Sequence, residues 1–226
     1  MLLFIPYEIE TLTQERPWAN WLLMAACSIV SLAANFDSMP KETTEALILN
    51  GWHFPGLIGH VLLHADLPHL VGNMIFLWVF GNAVCANTNN WLYLPAFLAC
   101  TLLAAAVHVL ADGSPAIGAS GAINGIVGIV LAMYPLNRVH VAWVFIIRGG
   151  SFSCSAWIII LVWLAFDLWG VVTGGDLIAY WAHIGGLLGG VAVGMSCLHF
   201  GWFQLTQYDH RSLLQILRGE KDGGFN

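Results

Sequence analysis

Six stretches of this chain, 17–36, 68–86, 91–111, 118–134, 155–173 and 177–200, are near-continuous apolar runs. Most are close to the roughly 20 residues that an α-helix needs to cross a bilayer. In lipid every backbone N–H and C=O must be satisfied within the segment, so a single run of this kind is confined to a helix. Composition agrees: 58% of residues are hydrophobic and 9% are charged, where soluble domains carry about 25% charge. The expected fold is an all-α polytopic membrane protein, a six-helix bundle. Residues 1–16 would form an N-terminal tail, 17–200 the bundle with a long first loop at about 37–67, and 201–226 a C-terminal tail. The run 118–134 is the shortest and suits a helix buried among the others. Trp18, Trp21, Trp91 and Trp157 flank runs, as interfacial belts require.

Several classes of function are disfavoured. The net charge is −6 and the basic residues are dispersed, so there is no nucleic-acid footprint. Cys27, Cys85, Cys100, Cys154 and Cys197 are odd in number and contain no C-x-x-C pair. They read as small core residues rather than a disulfide framework or a metal site. Residues 1–9 lack a basic leader, so neither a signal nor a transit peptide is expected. No internal repeat of the transporter kind is evident.

Six crossings place both termini on one side. Arg16, Arg138, Arg148, Arg211, Arg218 and Lys221 fall there, against Lys41 alone on the other. The positive-inside rule makes that side cytoplasmic and the loop 37–67 external. Its apolar patches, 46–49 and 52–58, are expected to dip into the outer leaflet or cap the bundle. Residues 212–218 have the pattern of a short amphipathic surface helix. A bacterial cytoplasmic membrane is the expected compartment.

This topology places chemistry at one depth. Spans two, four and six run from outside to inside, so their N-terminal ends lie together. His69 and Asn73 begin span two, Ser120 begins span four, and His183 sits about two turns into span six. At about 1.5 Å per residue all four lie within roughly 10 Å of their helix starts, where three positive dipole ends favour an anion. Serine is a weak nucleophile until a base takes its proton, and His183 is the best-placed base. The small-residue faces Gly121-x-x-x-Gly125 and Gly186-x-x-x-Gly190 would let spans four and six approach closely. His69, Asn73 and the Ser120 backbone N–H make a plausible oxyanion hole. An interhelical hydrogen bond is the plainer role for Asn73. His60 and His64 are spaced i, i+4, but no glutamate completes a zinc motif and Asp66-Leu67-Pro68 breaks the helix before His69. No metal is expected there, only structural hydrogen bonds. Asp167 is a charge within a span and hence a functional hypothesis. It reads as a cap or loop partner near the external surface, with membership of a triad as the sharper alternative.

Three motifs carry a family resemblance. They are His60-x-x-x-His64-x-x-x-x-His69-Leu70-x-x-Asn73-Met74 followed by Gly81, then Gly118-x-Ser120-Gly121, then Ala182-His183-x-x-Gly186-x-x-x-Gly190. In this order, on alternate spans, they resemble the rhomboid family of intramembrane serine proteases. The resemblance implies a six-helix core, Ser120 as nucleophile, His183 as base, no essential acid and no cofactor. It implies cleavage of single-span membrane proteins in or beside their transmembrane segments, near the external face. Phe166-Asp167-Leu168 is similar to the family's fifth helix, often proposed as a lateral gate. Trp52-His53 stands nearest to the Trp-Arg pair of some members, with different spacing. Asn124 replaces a tyrosine that stacks on the catalytic imidazole in others, and a hydrogen bond to His183 is one expectation for it. The rival readings are a non-catalytic rhomboid-like protein that binds transmembrane segments and, less well supported, a transporter. Presence of both Ser120 and His183 argues against the first.

Overall fold

A computed structural model describes residues 2–174, 178–206 and 209–220. Helix α1 is Trp18–Asn35, and two short helices, α2 (Lys41–Leu47) and α3 (Phe54–Gly59), follow it. After a 3₁₀ turn at His60–Leu62 come α4 (Leu67–Phe76), a π-helical turn at Leu77–Gly81 and α5 (Asn82–Thr88), which together make one rod. The chain continues through α6 (Asn90–Ala111), α7 (Ser120–Met133), α8 (Ala156–Thr173), α9 (Tyr180–His199) and α10 (Leu213–Leu217).

Five of these rods, Trp18–Asn35, Leu67–Thr88, Asn90–Ala111, Ala156–Thr173 and Tyr180–His199, are long and apolar enough to cross a membrane. The sixth expected run is the 14-residue α7, about 21 Å long against a hydrocarbon core of about 30 Å. Eleven of its residues are buried, so α7 is the axis around which the others pack. Leu177, where the last run was expected to begin, lies outside the described residues, as does the end of the tail, 221–226. Ser212 and Gln215 close a capping box at the start of α10, which accounts for the short helix expected near 212–218.

The all-helical expectation needs correction. Strands β1 (Leu2–Ile9), β2 (Arg138–Phe145) and β3 (Arg148–Ser155) form an antiparallel sheet in the order β1-β2-β3. Along β2, Val139 and Val141 are buried while Arg138 is exposed and His140 half-buried, the two-residue period of a strand. Residues 2–10, within the stretch expected as an N-terminal tail, are therefore tied into this sheet. Ile5 pairs with Ala142, the Glu10 carboxylate meets His140 Nε2 at 2.8 Å, and Asn137 Nδ2 donates to the Glu10 carbonyl at 2.6 Å. The span of about 37–67 folds into α2, α3 and the 3₁₀ turn, anchored by a bridge between Leu49 and Ala116.

Two devices fix the helices around α7. A π turn leaves backbone groups without their usual i−4 partners, and Asn20 on α1 supplies one by donating Nδ2 to the Leu77 carbonyl at 2.8 Å. Asn20 also accepts from Tyr93 on α6 at 2.6 Å, so one buried amide joins three rods. The second device is the α7–α9 contact. A Cβ placed on Gly186 would overlap the Gly121 carbonyl, and one on Gly190 would overlap the Gly125 carbonyl. Only glycine allows these backbones to touch. All five cysteines are free.

Candidate active site

The first turns of α4, α7 and α9 meet over a cleft of about 280 Å³ lined by Pro68, His69, Gly72, Asn73, Phe76, Ser120, Ile123, Asn124 and His183. Roomier hollows exist elsewhere, among them one of about 400 Å³ beside Trp202, one of about 560 Å³ beside β1 and one of about 340 Å³ between Tyr7 and Trp21. None of these three sets an imidazole against a hydroxyl, so chemistry rather than volume selects the smaller cleft.

Ser120 is the first residue of α7, and His183 is the fourth of α9. His183 therefore lies in the first turn of its helix, shallower than the two turns expected, because α9 starts at Tyr180. The close α7–α9 approach brings His183 Nε2 to 2.8 Å from Ser120 Oγ. On the other side of the ring, Nδ1 lies 2.9 Å from Asp167 Oδ1 on α8. Against an ionised carboxylate Nδ1 carries the proton, leaving Nε2 free to accept from the serine hydroxyl. Of the two expectations for Asp167, cap or loop partner and triad member, this hydrogen bond has the geometry of the second. Its side chain is only 15% exposed and that of His183 14%.

The segment ahead of Ser120 is held by the histidines of the preceding loop. Gly118 N–H donates to the His60 carbonyl at 2.9 Å, while the His60 ring bonds the Gly56 carbonyl at 2.8 Å. His64 Nδ1 lies 2.8 Å from Ser31 Oγ, and Ser31 donates its own proton to the Leu62 carbonyl. His64 therefore carries its proton on Nδ1 and turns Nε2 toward the Ala119 N–H at 3.5 Å. Burial pushes the His64 imidazole down to about 4, helped by the nearby His69, and burial also lowers His60. Both rings are neutral struts near neutral pH, His64 as donor and acceptor and His60 as donor to the Gly56 carbonyl. Ser31 gave no sequence signal, since a serine inside an apolar run usually bonds only to its own helix.

Asp66 caps α4 by accepting from the His69 N–H at 2.7 Å, which confirms the helix break expected at Asp66-Leu67-Pro68. His69 Nδ1 faces the Ala65 N–H at 3.5 Å, so the ring's proton sits on Nε2. That edge points toward Gly118, where a Cβ would come within 2.8 Å of Nε2 and whose φ is +117°. Gly118 thus makes room for the His69 ring. Asn73 lines the same cleft and donates Nδ2 to the His69 carbonyl at 2.9 Å. Asn124 does not reach His183: its Nδ2 donates to the Ser120 carbonyl at 3.0 Å. Tyr180 lies edge-on to the imidazole at 6.4 Å. Trp52 is 58% exposed and takes no part in the cleft.

Bilayer-length helices and a serine–imidazole pair at converging helix ends define the class: a helical integral membrane protein with the makings of a nucleophile. The chain belongs to the rhomboid family, whose rhomboid domain model matches residues 51–206. Among curated relatives it is similar to the mitochondrial rhomboid protein 1 of Saccharomyces cerevisiae, at 30% identity over 154 residues. That match covers 65% of this chain and 41% of the relative; the chain thus spans about two fifths of that protein's length.

Proposed function

We propose that this protein is an intramembrane serine endopeptidase that cleaves single-span membrane proteins within or beside their transmembrane segment, near the external face. The observation that carries the reading is the 2.8 Å contact between Ser120 Oγ and His183 Nε2, on a chain of the rhomboid family. In the proposed reaction Ser120 Oγ attacks the scissile carbonyl as its proton passes to His183 Nε2. The imidazolium then gives that proton to the leaving amine, so the C–N bond breaks and an acyl-enzyme remains. Water, deprotonated by the same Nε2, releases the acyl group and restores Ser120. His69 Nε2–H, the amide of Asn73 and the Ser120 N–H surround the position where the oxyanion forms. No cofactor enters the scheme.

We read residues 17–200 as a six-span protease domain with α7 as the fourth span, the segment near 37–67 outside, and both termini in the cytoplasm. The sheet supports this count, since β1 and β2 must share one side of the membrane and four helical rods lie between them.

A fluorophosphonate probe is expected to label Ser120 in detergent-purified protein, with the adduct located by mass spectrometry. Ser120→Ala and His183→Ala are each expected to lower cleavage of a co-expressed single-span reporter by at least about a thousandfold, as for other serine-protease nucleophiles and bases. Wild-type cleavage by both variants would sink the assignment.

A further inference from the structure

The resemblance implied a serine–histidine pair with no essential acid, yet the structure carries a third member in line. We infer that Asp167 is a positioning residue for His183, and that the seating of α8 and the orientation of the base are one event. The inference rests on the protease reading above and adds to it the element that controls the base.

The geometry is that of a relay of hydrogen bonds through one ring. Asp167 Oδ1 is 2.9 Å from Nδ1, and Ser120 Oγ is 2.8 Å from Nε2. The carboxylate fixes which nitrogen is protonated and stabilises the imidazolium formed when the serine proton arrives; the proton stays on the ring and the carboxylate remains ionised. The groups that face His183 are Ser120 on α7, His69 on α4, Asp167 on α8 and Tyr180 on its own helix. Among these Asp167 is the one that carries a negative charge.

The helix that carries this carboxylate is weakly held in its outer half. The buried residues of α8 are Ala156, Ile159 and Ile160 in its first turns, and then Gly170. Between them Leu161, Val162, Phe166, Leu168 and Trp169 are exposed. This stretch is held by Trp163 against Phe76 and Phe80, Leu164 against the core, the Asp167–His183 bond, and Gly170 against Tyr180, whose ring a Cβ at residue 170 would overlap. Movement of α8 away from α9 removes the carboxylate from the imidazole without disturbing Ser120. A base assembled by a separable helix is complete only while that helix is seated.

The test uses full-length protein in proteoliposomes with a single-span reporter. Asp167→Asn keeps an acceptor for Nδ1–H but loses the charge; Asp167→Leu loses both. Turnover is expected to fall about 10- to 100-fold in Asp167→Asn, the worth of a charge-assisted hydrogen bond, and further in Asp167→Leu. KM should change less than about twofold, and the acid limb of the kcat/KM–pH profile should move to lower pH in both. Gly170→Ala, which wedges α8 from Tyr180 and leaves Asp167 intact, is expected to show the same loss of kcat and the same shift of the acid limb. The double variant Gly170→Ala/Asp167→Leu should then be no worse than Asp167→Leu alone. Wild-type kcat and pH profile in Asp167→Leu would overturn the role of the carboxylate, and additive losses in the double variant would overturn the coupling to α8.

A readout independent of turnover separates this from failure of the protease reading. In Ser120→Ala protein the ¹⁵N resonances of His183, assigned by comparison with His183→Gln, should show the proton on Nδ1. Asp167→Leu in that background should shift it toward Nε2. An unchanged tautomer overturns the proposal whether or not the wild type cleaves. A wild type that neither labels nor cleaves, with the tautomer shift intact, removes only the protease reading.

Discussion

A histidine buried as a neutral strut makes the serine segment sensitive to acid. In the folded chain His64 is pushed down to about 4 and His60 is also lowered, both chiefly by burial; unfolded histidine titrates near 6.5. Between those values the unfolded chain binds more protons than the folded one, so stability is full above about pH 6.5 and declines as pH falls toward about 4. The slope is at most about 1.4 kcal/mol per pH unit for each histidine. Protonation would also remove the acceptor that Nε2 offers Ala119 and place a charge against the backbone leading to Ser120. Thermal unfolding in detergent between pH 7.5 and 4.5 is expected to show this decline, and His64→Gln to flatten it at the cost of a lower Tm at neutral pH. A profile for His64→Gln as steep as that of the parent would rule out His64 as the source.

Helices transmit depth and azimuth, and the sequence reports only the first of these well. Ser120, His183, His69 and Asn73 were legible because residue count from a helix start gives depth to within about a turn, the error for His183, and the glycine faces marked which helices approach. Asp167 was left between two readings, cap and triad member, because its rotational position on α8 depends on contacts such as Trp163 with Phe76, which no periodicity in a run that is apolar all round can announce. Asn124 failed for a related reason: its own helix offers the Ser120 carbonyl at 3.0 Å, a local bond that wins over a distant one. The strands were hidden because β1 pairs with residues more than a hundred positions away, and an eight-residue apolar strand alone looks like any short apolar run. The element on which the site most depends is the α7–α9 contact. Gly190→Leu would drive a side chain into the Gly125 carbonyl, beyond what repacking can absorb, and overpacking of this kind costs about 1–3 kcal/mol or more. The expected result is a lower Tm in detergent together with loss of Ser120 labelling, while Gly72→Ala, on α4 with open space at its Cβ, should keep the parental Tm.

At the scale of the molecule, the sheet constrains what the helices can do. β1 precedes α1 and β2 follows α7, yet the two strands pair from Leu2 with Phe145 to Ile9 with Val139. Strands that pair lie on one side of the membrane, so an even number of crossings separates them. The rods between them are Trp18–Asn35, Leu67–Thr88, Asn90–Ala111 and the short Ser120–Met133. If α7 entered and returned without crossing, three crossings would leave β1 and β2 on opposite faces and the sheet could not form. The six-span reading proposed above therefore requires α7 to cross despite its length, with its start recessed at the level of the cleft. Impermeant maleimide labelling tests it. Ser38, after the first rod, and Ser151, in β3, are both exposed, whereas four of the native cysteines are buried. In intact cells Ser38→Cys is expected to label above the parental background and Ser151→Cys only after the membrane is permeabilised. Labelling of both from outside would mean that three crossings, not four, precede the hairpin, and both the β1–β2 pairing and the six-span reading would fall together.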